Sequence, residues 1–578
     1  MTFLPSDEKI IETKKCQISG KEFFITNKDR ELLDKISPVF SGRNYLLPNP
    51  TLCPEERQRR RLSFRNERKL YKSKCSKTGR EIISIYSPDK NYIVYDQKVW
   101  WSDDWHASEY WQNFDFNRGF FDQFKALFER APKLSLLNIN CENSEYTNFT
   151  HTSKNCYLCV GTTNSEGVLY SNFVRDVKDV VDSTFTYESE LIYYGMDVTR
   201  CYHSFFIKNC VQCQDCFGVE ECESCHHCIG CYGLKNKEYH IFNKPVSPEE
   251  FQKVWKSALT HGGSIKILQD LKKLREKQYV RNMHLINCEN CFWDQIDNGK
   301  NGYMCFDAKN IDNARYAYFS PKNIHVIDCA YTAPLGLEFC GECNSSVWVS
   351  YSFGTFHFWH GSHNLYSISC QWSDDLFWCV SVKKWKNMIL NKVYSRQEYE
   401  TLCGKIIEHM TSTWEWWEFF PISLSAFGYN ETVAQEYFPV SEDEAREKWW
   451  KWHEGENKNT YIWEHYKPLP IDQYDEKIVW YEIAQKNIDS LLSGILECEV
   501  THKPYKIIKQ ELVFYIENHL PIPTKHPDER HRERMSLRNP RELHERTCPE
   551  CQRKMVTTYR PERPEKVVCE ECYKRLTY

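Results

Sequence analysis

Three absences narrow the reading before any motif is considered. No apolar run reaches the roughly 18 residues of a membrane span. The first residues, Met1-Thr-Phe-Leu-Pro-Ser-Asp-Glu-Lys9, carry neither the basic cluster nor the apolar stretch of a signal peptide, so a cytoplasmic protein is expected. An excess of one charge is also missing. The chain has 75 Lys and Arg against 80 Asp and Glu, a net −5, which excludes a globally basic nucleic-acid binder. A reducing compartment in turn removes disulfides. The 28 cysteines are therefore expected as metal ligands or as small buried hydrophobes.

What is present begins with length. At 578 residues the chain has room for about three to five domains and a large core. Aromatic residues make up 15%. They cluster at Trp100, Trp101 and Trp105, at Trp414, Trp416 and Trp417, and at Trp449, Trp450 and Trp452. Such clusters suit domain cores and seams, or a surface on which sugars or bases stack.

The chain repeats itself. The stretch from His526 to Tyr573 lies without a gap on Cys53 to Trp100, 473 residues earlier. Arg530, Arg534, Arg538, Asn539, Arg541 and Cys548 fall on Arg57, Arg61, Arg65, Asn66, Arg68 and Cys75. Upstream, Cys16-Gln-Ile-Ser19 and Cys498-Glu-Val-Thr501 open the two copies. The two copies bracket a Cys-rich middle.

Arg57, Arg61, Arg65 and Arg68 sit at i, i+4, i+8 and i+11, one stripe of a helix. Between Pro54 and Arg80 eleven Lys or Arg stand against three Glu. One reading is a helix that tracks the phosphates of a nucleic acid or ribonucleoprotein. The other is an Arg face that packs its stems and pairs with acidic neighbours. The C-terminal copy, with Asp528, Glu529, Glu533, Glu542 and Glu545 nearby, favours pairing. After the N-terminal copy, Phe120, Phe121, Phe124, Leu127 and Phe128 predict a helix.

Cys548-x2-Cys551 and Cys569-x2-Cys572, seventeen residues apart, form the strongest chemical signal. Two such knuckles supply four thiolates at tetrahedral reach, which suits one structural zinc and leaves no open position for catalysis. Arg553, Lys554 and Arg563 are close enough in sequence to lower the thiol pKa values. In the N-terminal copy the same positions are Cys75, Thr78, Asp96 and Val99, which cannot close such a site. Upstream, Cys498, Thr501, His526 and Glu529 make an incomplete set.

Between 138 and 392 short strand-like runs alternate with Asn, Asp and Gly. Tyr146, Tyr170 and Tyr194 recur at 24, and other runs at 21 to 24. A repeat near 22 residues predicts a β-solenoid with one coil per repeat, small cysteines filling its lumen and Asn at its corners. Cys231 to Ser247 recurs at 379–395, with Asn243 on Asn391, so two blocks are expected. The run Cys210, Cys213, Cys216, Cys222, Cys225, Cys228 and Cys231 is dense enough to hold zinc or an iron–sulfur cluster. On strands, however, i and i+3 point to opposite faces, so lumen packing competes with metal. The run His357, His360 and His363 meets the same objection.

Several stretches, including 419–438, Arg57 to Tyr71, Glu142 to Asn148 and Arg538 to Arg541, resemble a large zinc-ribbon protein family from uncultured, small-genome bacteria of the candidate phyla radiation. The resemblance covers nearly the whole chain. It implies a C-terminal ribbon and a Cys-rich repeat middle, and it implies no activity.

The expected molecule is therefore multidomain and mainly β, with two short Cys-rich β-solenoid blocks flanked by duplicated Arg-rich zinc-ribbon-like modules and with helical inserts. Its parts are a degenerate ribbon-like module and helix (1–135), solenoid block 1 (138–244), a helical insert (248–282), solenoid block 2 (284–392), a linking region (393–470) and the C-terminal ribbon unit (490–578). The expected function is a non-catalytic, zinc-containing scaffold for a macromolecule, protein or nucleic acid, with no membrane partner. Nucleic-acid binding through the Arg stripe is one alternative. A metal-dependent or redox enzyme built on Cys210 to Cys231 is the other.

Overall fold

The computed structural model describes residues 8–332, 336–454, 488–489 and 491–577. The end of the expected linking region, 455–470, lies outside them. The chain folds as a strand-rich, multidomain molecule whose middle consists of two stacks of short parallel strands.

One local rule builds both stacks. From Asn140 to Phe242, and again from Asn287 to Leu390, nearly every third residue has φ near +50°. Each such residue turns the chain and points outward. The residue after it points inward and is small: Cys156, Thr162, Val168, Ser171, Val180 and Cys210 are all buried. Among the described residues no Val or Ile takes a left-handed position, where a branched Cβ meets the backbone. Four such triplets return the chain to its starting side, so each strand pairs in parallel with one 12 residues on: Glu166 with Lys178, Thr184 with Met196, Leu376 with Met388. The expected coil near 22 residues is thus corrected to 12, and the 24-residue Tyr spacing spans two coils.

The lumen explains the cysteines. Nineteen of the 28 follow a left-handed residue and so point inward. A buried thiol there donates weakly to the carbonyl two residues back and to that nine residues ahead, as Cys216 does to Gln214 and Cys225. Ser171 bridges Leu169 and Val180 in the same way. Small polar side chains thereby occupy a lumen too narrow for Leu or Phe at most rungs. Outside, Asn rungs bond across coils, as Asn164 does with Asp176.

The exit of each stack is closed by the Asn that the sequence repeats. Asn243 bonds both main-chain groups of Tyr232, and Asn391 bonds those of Val380. In the second stack one step has an offset of 11 and another of 14, which loosens its Asn spacing. The two stacks pack side by side through Phe173, Phe185, Phe319 and Tyr331.

The insert holds helices Pro248–Ala258 and His261–Arg275, then departs from expectation. Tyr279–Arg281 is a strand that pairs in parallel with Lys566–Val568 of the C-terminal module. Its N-terminal counterpart is the pairing of Val94–Tyr95 with Lys133–Leu134. The predicted helix forms at Phe120–Arg130, Arg396–Ser412 is a further helix, and a short one follows Ser441, which caps it. No helix among the described residues is long and apolar enough to cross a membrane.

Candidate metal centre

The hairpin His544–Thr547 and Lys554–Thr557 turns through Cys548 to Arg553, with Cys548 N donating to Arg553 O and Gln552 in the left-handed region. That turn presents Cys548 and Cys551. The strand Lys566–Val568 then delivers Cys569, and Cys572 lies in the first turn of the helix Glu570–Thr577. The four sulfur atoms lie within 4.8 Å of one another, and Cys551 Sγ is 3.6 Å from Cys569 Sγ. A tetrahedral zinc tetrathiolate needs sulfurs about 3.8 Å apart, so shifts of about 1 Å or less would close the set around one ion. Among the described residues this is the single group of three or more His, Cys, Asp or Glu that could hold a metal ion.

The electrostatics agree with a cation at the centre. Burial works to raise the Cys548 thiol, but main-chain N–H donors from Cys569, Cys551 and Glu550 pull it down to about 6. Burial pushes Cys572 up to about 12. Four thiols crowded together cannot all ionise unless a cation compensates them. Of the flanking bases expected to help, Arg553 pairs with Glu571 and Arg563 with Glu565.

The N-terminal copy keeps the geometry and replaces the ligands. Cys75 N donates to Arg80 O, and Asp96 N donates to Cys75 Sγ as Cys569 N does to Cys548 Sγ. Where the other knuckle would stand, Asp96 caps a helix whose Trp100 is fully buried and packs on Trp105, 5.0 Å between ring centres. Tryptophan packing stands in for a metal. The other Trp clusters divide: Trp416 and Trp417 are buried, whereas Trp414 and Trp449 are 89% and 87% exposed.

Of the two readings of the Arg stripe, phosphate tracking is overturned and packing against acidic partners is what the geometry shows. Arg57, Arg61 and Arg65 are 2%, 0% and 3% exposed and face the second stack. Arg57 Nε lies 2.9 Å from Asp328, and Arg61 bridges Asp328 and Glu342. Arg65 meets Glu67 and Ser345 and lies between the rings of Phe149 and Tyr331. Arg68, half-buried, pairs with Asp528. No phosphate can reach the first three.

The C-terminal copy repeats this docking on the other stack. Arg530 and Arg534 both bond Asp182, and Arg530 lies over Tyr170 as Arg57 lies over Tyr316. Arg538 covers Phe185 as Arg65 covers Tyr331. Tyr170, Asp182 and Phe185 each stand 146 residues before Tyr316, Asp328 and Tyr331. The molecule thus has an internal two-fold plan in which each Arg helix docks on the stack farther from it in sequence. The acidic partners were missed from sequence. Their signal was the 148-residue exit repeat, shortened by the two residues of the widened step.

Between the modules and stacks lies a cavity of about 1090 Å³, lined among others by Arg68, His284, Asp307, Tyr437, Asp528 and His531. Its charges are tied to one another. His284 offers Nδ1 to Asp294 at 3.2 Å and Nε2 to Glu221 at 3.1 Å. Burial opposes its charge, yet the two carboxylates hold it up at about 10, and Asp294 falls to about 2. Asp307 lies between Arg538 and Arg541.

The remaining sequence candidates form no metal-sized group among the described residues. Cys210, Cys213, Cys216, Cys222, Cys225, Cys228 and Cys231 are buried along the lumen, each Sγ directed at main-chain carbonyls. They form no group that meets the same spacing as Cys548 and its partners. His357, His360 and His363 stand on successive corners: His357 is stacked on Phe356, His360 on Trp372 and His363 on Tyr351. Compared with family models, curated proteins and solved structures, the chain matches none.

Proposed function

We propose that the chain is a non-catalytic binding scaffold held together by one structural zinc ion. In this reading the two stacks are β-solenoids and the module around Cys548 is a zinc ribbon. Zinc thiolates and buried unpaired thiols suit a reducing compartment such as the cytoplasm. The carrying observation is that the four sulfurs of Cys548, Cys551, Cys569 and Cys572 close on one another with no open ligand position. The polar groups of the central cavity support it. There His284 is tied to Asp294 and Glu221, and Asp307 to Arg538 and Arg541, so these buried charges serve one another. Rigid stacks with extended sides are suited to holding macromolecules.

The test is elemental analysis with an absorption spectrum on anaerobically purified protein. One zinc per chain and no visible band is the expected result. Iron with sulfide and a broad visible band would assign the Cys210 to Cys231 thiols a redox centre and discard the scaffold reading.

A further inference from the structure

The exits of both stacks are sealed, but the entrance of the first is open. Within that stack the N–H of each left-handed residue donates to the coil before it: Thr152 to Ile139, Asn155 to Glu142, Leu158 to Tyr146. The inward carbonyls accept from that same coil, Ser153 O from Glu142 N. The first coil has no coil before it. The N–H groups of Asn140, Asn143 and Tyr146 and the carbonyl of Cys141 have no partner among the described residues. Asn140, Asn143 and Tyr146 are exposed, and Asn138 satisfies only the carbonyls of Ser144 and Thr147.

A groove of about 1500 Å³ lies over this rung. Asn140, Cys141 and Tyr146 are on its floor, and its far wall is the N-terminal hairpin Tyr71–Lys74 and Glu81–Ser84. It exceeds the roughly 300–1,000 Å³ of ordinary small-molecule pockets. Lys72, Lys74, Arg80 and Lys98 line it, exposed and in no ion pair among the described residues. Against them stand Glu81, Glu145 and Asp96, and Asp96 is committed to its helix cap. The groove therefore offers a row of strand-edge hydrogen-bond groups beneath a wall with surplus positive charge.

We propose that this entrance binds an extended, acidic peptide segment of a partner protein, which adds to the first stack as one further parallel rung. The chemistry is strand addition: main-chain bonds to Asn140, Cys141 and Asn143 supply the affinity, and the basic wall selects acidic side chains. The proposal rests on the scaffold reading for the claim that the occupant is a macromolecule rather than a substrate.

The test uses the full-length protein, with its metal content already measured, and a fluorescent 12-residue peptide copying residues 176–187. That sequence is itself a coil of the stack and carries three Asp and one Lys. Saturable binding is expected, with amide exchange slowed at Asn140 and Asn143. The triple variant Lys72→Glu, Lys74→Glu, Arg80→Glu should weaken it at least tenfold with its melting temperature unchanged. A peptide N-methylated at alternate residues should not bind. Equal binding of the N-methylated peptide, or unslowed amides, overturns the proposal. So does concentration-dependent dimerisation without peptide binding, which would give the rung to a second copy of the chain. Failure on a colourless, one-zinc chain removes strand addition and leaves the scaffold. An iron chromophore removes the scaffold reading whatever the peptide does.

Discussion

At the scale of single residues, the main finding is that the arginines in the duplicated helices are internal fasteners. Asp328 and Asp182 each anchor two of them. Removing the carboxylate leaves Arg57 or Arg534 buried without its acidic partner, while Arg61 keeps Glu342 and Arg530 keeps Glu511; breaking a buried pair typically costs about 3–5 kcal/mol. Asp328→Ala and Asp182→Ala should therefore each lower stability by that order in denaturant unfolding. A loss below about 1 kcal/mol would show that the arginines find other partners. His284 gives the molecule a pH signature. Its charged form is favoured by the fold, so its contribution is complete below its unfolded value near 6.5 and is lost as pH rises through about 10. Thermal melts of the wild type should fall across that window by on the order of a few kcal/mol. His284→Asn, which places at this corner the residue found at Asn138, should flatten the slope.

At the scale of elements, the triplet rule makes sharp demands on each position. Inward positions need a small side chain with a weak donor. Cys216→Ser keeps both carbonyl contacts, as Ser171 shows, and should cost under about 1.5 kcal/mol. Cys216→Leu overfills the lumen and should cost about 1–3 kcal/mol or more. Outward corners need left-handed backbone. Asn164 has φ 49° and is exposed at its tip. Asn164→Val should cost about 1–2 kcal/mol and Asn164→Gly much less, a difference read from paired melts. If Val were as well tolerated as Gly, the left-handed corner would not be limiting.

At the scale of the whole molecule, the four-cysteine module is joined to the entrance of the second stack. The strand Lys566–Val568 that pairs with Tyr279–Arg281 leads straight into Cys569. Arg281 adds an ion pair with Glu570 and lies over Tyr573, and Asn282 Nδ2 donates to Val556 O. Stripping the proposed metal with a chelator should loosen this seam, because Cys569 and Cys572 then lose the ion they would share with the hairpin cysteines. Hydrogen exchange should rise at Tyr279–Arg281 and Lys566–Val568, while Val94–Tyr95, whose module closes on Trp100 and Trp105, stays protected. Equal protection before and after chelation would show that packing alone suffices at the C-terminal end as well.

Local chemistry made part of this legible in advance. The four-cysteine group Cys548, Cys551, Cys569 and Cys572 was readable because two short-range knuckles fix their own geometry. The duplication and the matched Asn243 and Asn391 were readable because repeats are a one-dimensional property. Even the Cys spacing of three held the coil rule, but two coils of 12 gave the stronger Tyr signal at 24 and hid it. Tertiary structure alone decided where the arginines went. A stripe of Arg57, Arg61 and Arg65 has the same spacing whether it meets phosphates or buried carboxylates. The partners Asp328 and Glu342 lie more than 260 residues away in the chain. Side-chain identity fixes what a residue can pair with, and only the fold fixes which partner shares its desolvated space.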